Sequence, residues 1–276
     1  MNVLGIEPRP VGVVAAKEFR DRIRNRWVLA VMLVFTAFAL VIAYFGAAQQ
    51  GAVGFRSIEV TIASLVSLVI YLVPLVALIL GFDAIVGERE RGSLDLLLSM
   101  PLTRLELLLG KFLGLSAALA CSTIAGFGLV GLLLASKLPP QAWFHYAGFI
   151  ASSVLLGMAF LSLAVTVSVF AADRARASGI AIALWFFFVL VYDLLLLGGL
   201  VVSGGGAGSA AFPFLLLLNP ADVFRILNIF GLDDVRTMYG LTTVFPARLA
   251  DPALLGTVML AWIALPLGLA SWRFRQ

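Results

Sequence analysis

The sequence predicts an all-α membrane protein with six crossing helices, and three observations carry that reading. Of 276 residues, 62% are hydrophobic and only 12% charged, whereas a soluble domain holds roughly 45–50% apolar and about 25% charged residues. Six apolar runs reach the roughly 20 residues a helix needs to cross a hydrocarbon core about 30 Å thick. Lys and Arg gather at one set of the ends of those runs. A mean hydropathy of +1.08 excludes a disordered chain, which requires low hydrophobicity and high charge. Cys121 is the single cysteine, so no disulfide forms within the chain.

The elements follow in order. In residues 1–27, Ala15, Phe19, Ile23 and Trp27 recur every four residues while Lys17, Arg20, Arg22, Arg24 and Arg26 surround them. That pattern describes an amphipathic helix lying on the inner membrane surface. The spans fall at residues 28–47, 60–82, 112–135, 146–170, 179–201 and 253–272. The first run follows 26 polar and basic residues and lacks a small-residue cleavage site, so it reads as a retained span rather than a signal peptide. Pro74 and Pro266 lie inside spans two and six and should bend them by removing a backbone hydrogen bond.

Six spans place both termini on one side, which carries 14 Lys and Arg; the opposite loops carry five, namely Arg56, Lys137, Arg225, Arg236 and Arg248. The positive-inside rule therefore expects both termini in the cytoplasm of a bacterial inner membrane. About 50 residues separate spans five and six, too many for a connector. This external segment, 202–252, opens on the glycine-rich stretch 203–208 and continues with an apolar stretch, 212–218, that is too short to cross. Asn219 as a cap, Pro220 at the first helical position and Asp222 in the first turn then start a short helix with Val223, Leu227 and Phe230 on one face, ended by Gly231. A platform of short external helices is expected.

Catalytic signatures are missing. The chain has no GxxxxGK[ST] loop, HExxH, CxxC or GxSxG. His145 sits beside Trp143 and Tyr146, as in an interfacial aromatic belt, and the six methionines are scattered. No metal site and no catalytic residue are predicted, and too few His, Cys and carboxylate groups remain for a membrane hydrolase. The basic residues flank apolar runs instead of forming an aromatic-interleaved patch, so nucleic acid is not a partner. Asp193, in span five, is an intramembrane acid that costs about 2.5–3.5 kcal/mol to insert and demands a partner or a polar cavity. It is either a structural hydrogen-bonding residue or a transport-route residue, the latter also allowing an ATP-independent secondary carrier.

The loop 83–111 holds the most information. It runs Glu88, Arg89, Glu90, Arg91, Gly92, Ser93, Leu94, Asp95 and, after the leucines Leu97 and Leu98, reaches Pro101 and Arg104. Ser93 is expected to cap a short helix with Asp95 in its first turn, Leu94, Leu97 and Leu98 giving the apolar face and Pro101 stopping it. Thr103 and Glu106 have capping-box spacing and should launch the helix that leads through Lys111 into span three. A compact charged helix held between two spans is suited to being gripped by another protein.

With Glu88, Glu90, Gly92, Ser93, Leu94, Asp95, Leu97, Leu98, Pro101, Arg104, Gly110 and Lys111 in this order, the chain resembles the permeases of type-2 ABC exporters. The basic amino-terminal helix, the six spans and the external segment extend that resemblance over nearly the whole sequence. It implies that loop 83–111 is a coupling helix seated in a groove of a separate ATPase subunit, which binds ATP and Mg, and that two permeases work with two ATPases. Within the family, the chain looks like the permeases that serve copper-site assembly in nitrous oxide reductase. That likeness implies a periplasmic copper-handling partner of β-helix-like shape, docked on the external segment with Asn219, Asp222, Phe224, Arg225 and Phe230 as candidates.

Overall fold

A computed structural model describes residues 7–45, 58–134, 140–202, 207–229, 249 and 251–275. Its described residues contain helices and no strand. Helix α1 covers Pro8–Arg24, α2 Trp27–Phe45, α3 Ile58–Gly81, α4 Val86–Glu90, α5 Ser93–Leu98, α6 Arg104–Leu134 and α7 Pro140–Phe170. Then come α8, Arg174–Phe186, a π-helical turn at Phe187–Val191, α9, Tyr192–Val202, the short helices α10, Ala207–Leu216, and α11, Pro220–Ile229, and finally α12, Pro252–Arg275. Six stretches among them are long and apolar enough to cross a membrane, and they coincide with the six expected spans. This is a multi-pass, all-α membrane protein.

The starts of the helices are written locally. Pro8, Pro140, Pro220 and Pro252 open α1, α7, α11 and α12, where a missing N–H costs nothing because the first turn has no partner for it. Asp173 accepts a hydrogen bond from the Arg176 N–H, at 2.7 Å, and so caps α8. Asp251 does the same for the Ala253 N–H at 2.9 Å.

Packing gathers α3, α7 and α12 along one side and α1, α2 and α6 along the other, with α6 against α7 joining them. An aromatic series runs through that junction: Phe35 stacks on Phe127 with centroids 5.3 Å apart, Phe127 meets Phe149 at 5.4 Å, and Phe149 meets Phe224 at 6.2 Å. All four are fully buried. Gly126 permits it, because a side chain there would strike Phe35 Cβ at 2.8 Å.

Pro266 shows how a span tolerates proline. Its absent N–H frees the Trp262 carbonyl, and Ser162 of α7 donates to that oxygen at 3.0 Å. Thr166 adds a bond to the Pro266 carbonyl at 2.8 Å. The bend site is therefore tied into the α7–α12 seam, as polar side chains of neighbouring helices often do inside membranes.

Two expectations change. The face predicted at Ala15, Phe19, Ile23 and Trp27 does not persist, because the chain turns at Asn25 and Arg26, with Arg26 at φ 55°, and Trp27 belongs to α2. Helix α1 instead presses Val11, Val14, Ala15 and Glu18 toward α6 and leaves Ile23 exposed. A tertiary contact with α6 has outcompeted the stripe that periodicity alone favoured. Span five is also not one regular helix, since the π-turn interrupts it before Asp193.

Candidate functional site

One end of the bundle carries α1, the α4–α5 loop, the α7–α8 turn and the end of α12. Helix α4 follows α3 after a turn over residues 82–85. Its first free donors, the N–H groups of Ile85 and Val86, both reach the Ser168 hydroxyl of α7, at 2.9 and 3.0 Å. Gly87 fits because a side chain there would collide with the Asp83 carboxylate. Gly92 then reverses the chain in the left-handed region, at φ 70°, a conformation that strains any other residue. It occupies the position expected of Ser93 as helix cap. The Ser93 hydroxyl turns back to Glu88, bonding its carbonyl at 3.2 Å and its carboxylate.

The capping box forms as the spacing predicts. Glu106 accepts from the Thr103 N–H at 2.7 Å, and the Thr103 hydroxyl accepts from the Glu106 N–H at 3.2 Å. The second Glu106 oxygen takes the Glu7 N–H at 2.7 Å, so one side chain both starts α6 and secures the entry to α1. A few residues on, Gly110 and Gly114 let α1 cross closely. A side chain would meet Val14 Cβ at 2.6 Å from Gly110 and the Ala15 carbonyl at 2.5 Å from Gly114, the close approach that small residues four apart allow.

Between those glycines sits Lys111, only 3% exposed, with its ammonium 2.8 Å from Glu18 and 2.9 Å from Glu88. The outer flanks are compensated, with Lys17 3.2 Å from Glu18 and Arg91 3.8 Å from Glu88. Burial disfavours the Glu18 carboxylate, but Lys111 and Lys17 outweigh it and hold this group below its ordinary value of 4.5. One cation thus joins α1, α4 and α6. Removing one partner of such a buried cluster costs on the order of 3–5 kcal/mol, because it strands an uncompensated charge.

Two arginines extend the joint. Arg89 donates to the carbonyls of Ala171 and Val169, at 3.0 and 3.3 Å. Arg104 donates to the Phe274 carbonyl at 2.9 Å and lies over the Phe274 ring, 5.9 Å from its centroid. Both cations sit at helix carboxyl ends, where carbonyls lack partners and the macrodipole is negative. Arg174 closes the circuit, its N–H bonding Glu90 at 2.7 Å and its guanidinium pairing with Asp83.

These contacts sort the expected site residues. Glu88 is buried, Arg89 and Arg104 are engaged with helix ends, and Leu94, Leu97 and Leu98 pack on the chain's own core. Arg91, Gly92, Asp95 and Pro101 are exposed, as is Glu90 despite its bond to Arg174. Exposed beside them are Leu96, at 69%, and Met100. The outward apolar residues are therefore not the leucines that helical periodicity selected. Glu18, Asp83, Ser168 and Arg174 also escaped the sequence reading. Lys111, a lone cation inside an apolar helix with glycines on either side, was the available signal for the joint.

At the opposite end a second cluster surrounds Arg225. It pairs with Asp193 at 3.0 Å and with Asp222. Asn219 donates to the Asp222 carboxylate and to the Phe188 carbonyl in the π-turn, each at 2.9 Å, while its own oxygen caps the Ala221 N–H. Asn219, Asp222 and Phe224 are buried against the bundle, which removes them as surface docking residues in this arrangement. Their apolar and polar partners on α3, α7 and the π-turn claim them first. Arg225 stays half-buried; Phe230 lies outside the described residues. Among the described residues no three His, Cys, Asp or Glu side chains gather as a metal site would need.

The sequence pattern of the family described as ABC-2 family transporter protein matches residues 13–276. The probable ABC transporter permease protein NosY of Pseudomonas aeruginosa is 44% identical over 270 residues, covering 96% of this chain and 98% of that protein. The probable ABC transporter permease protein NosY of Stutzerimonas stutzeri is 43% identical over 267 residues, covering 95% and 97%.

Proposed function

The chain belongs to the ABC-2 transporter family, and from that premise we propose that it is the transmembrane subunit that converts ATP hydrolysis by a separate ATPase into movement of its own helices. The working unit has two copies of this chain and two ATPases that bind ATP and Mg, set in the bacterial inner membrane with both termini cytoplasmic. Residues 1–27 and 83–111 form the cytoplasmic face and residues 202–252 the periplasmic one, within a single transmembrane domain. The likeness to the NosY permeases supports a role in copper-site assembly of periplasmic nitrous oxide reductase, through export or by working a β-helix-like copper-handling partner. Arg225 is the remaining described candidate for contact with that partner.

The observation that carries this reading is the joint around Lys111 and its arginine extensions. A push on the α4–α5 loop is carried onward by these contacts. Lys111 passes it to α1 and α6, while Ser168 and Arg89 pass it to α7 and Arg104 to α12. The residues left facing outward, Arg91, Asp95, Leu96 and Met100, make the surface an ATPase would hold, and Glu88 acts behind it by positioning. Asp193 is matched to Arg225, which supports a structural role over a transport-route one.

Leu96→Asp tests the assignment, because Leu96 is exposed and its exchange leaves the joint intact. In the reconstituted transporter, ATPase binding or stimulation should fall on the order of ten-fold, the loss expected for one apolar anchor, with insertion and thermal stability unchanged. Full stimulation by that variant would count against the loop as the coupling surface.

A further inference from the structure

A second surface lies beside the joint. A cavity of about 490 Å³ opens between α5 and the ends of α7 and α12, and Arg89, Arg104 and Arg273 line it together with Asp95. The side chains of Arg273 and Asp95 form no hydrogen bond or ion pair among the described residues, and the bonds of Arg89 and Arg104 to backbone carbonyls leave part of each five-donor guanidinium free. Three cations against one acid leave the cavity positive. Its other wall is apolar, built from Leu94, Leu98, Val169 and Phe170.

Its depth is marked by the helices around it. The cavity touches the last turns of two membrane-crossing helices, α7 and α12. Trp272, in the last turn of α12, is 58% exposed, as residues at the headgroup level are. Leu265, Leu269 and Trp272 make an exposed stripe, and Arg273 lies one turn beyond Leu269 at its end. A track suited to an acyl chain thus leads to a group of guanidiniums suited to a phosphate oxyanion.

We propose that this cavity binds the headgroup of an anionic phospholipid, its phosphate held by Arg273 with Arg89 and Arg104 and its acyl chain laid along the α12 stripe. Because Arg89 and Arg104 also close the ends of α7 and α12, an occupied site braces the helices that meet the α4–α5 loop. An acidic segment of a protein partner would meet the same charges, but the continuous apolar stripe and the interfacial tryptophan favour lipid.

The test uses the full chain in mixed micelles, with and without its co-purified partner subunits, and reads bound lipid by native mass spectrometry. Phosphatidylglycerol should be retained over phosphatidylcholine, and Arg273→Gln, which breaks no side-chain hydrogen bond or ion pair among the described residues, should cut that retention on the order of ten-fold, the loss of one charge-assisted hydrogen bond. Arg273→Lys should recover part of it. Equal retention of the two lipids, or of phosphatidylglycerol by wild type and Arg273→Gln, overturns the proposal. So does binding of inorganic phosphate with no preference for the lipid, or an Arg273→Gln variant that loses only a partner subunit.

Discussion

Each end of the bundle places one cation between two carboxylates, and the two arrangements differ in reach. Lys111 joins Glu18, 93 positions away, and Glu88, 23 positions away, so three separate helices depend on it. Arg225 joins Asp222, three positions away on its own helix, and Asp193, 32 positions away. Lys111 is 3% exposed and its carboxylates are backed by the further cations Lys17 and Arg91, whereas the Arg225 side chain is 37% exposed and, among the described residues, no second cation backs its two acids. The first is a joint between elements; the second fastens α11 to the end of span five. Similar chemistry gives different consequences because connectivity decides how many elements a lost charge releases.

Lys111→Met should break that comparison most strongly. It removes the buried cation that two carboxylates share and should destabilise the protein by about 3–5 kcal/mol, read as a lower unfolding temperature and as protease access to α1. Combining it with Glu18→Gln and Glu88→Gln should recover much of the loss, since an uncharged site no longer holds an unpaired ion. A triple variant no better than the single one would mean that Lys111 acts through its aliphatic stem.

A smaller effect is expected at the other end. Arg225→Met leaves Asp222 buried without its cation, but Asn219 still bonds the acid and fewer elements depend on the pair, so the loss should stay below that of Lys111→Met. Asp193→Asn should cost less again, because Arg225 keeps Asp222. Undiminished ATP-driven activity in that variant would remove Asp193 from the transport route; abolished activity in a stable protein would restore it.

The weakest lever is pH. The Glu18 carboxyl titrates below 4.5 in the folded chain, so its contribution is present above about pH 4.5 and is lost as pH falls through its lowered value. Proteolysis within α1 should rise in that acid range, and Glu18→Gln should flatten part of the rise. An identical acid profile in that variant would assign the sensitivity elsewhere in the joint.

How much was legible in advance depended on the distance over which each feature is decided. The six spans, the Thr103–Glu106 box and the start of α11 at Asn219 and Pro220 were readable, because crossing a bilayer or capping a helix is settled by neighbouring residues. The loop's role as an exposed charged helix was readable only in outline. Leu94, Leu97 and Leu98 share a face as expected, yet that face meets the chain's own core, and Leu96 looks outward. Nothing in the hexapeptide distinguishes the two orientations.

By itself, then, the sequence determined the membrane class, the number of crossings and several helix starts, since each follows from a contiguous run or a three-residue spacing. Only the tertiary structure decided that Glu88 is a buried partner of Lys111, that α1 lies on α6, that Arg89 and Arg104 close helix ends, and that Asn219, Asp222 and Phe224 are interior. A buried charge is tolerable only beside its counter-charge, and that counter-charge is supplied by packing from a distant part of the chain.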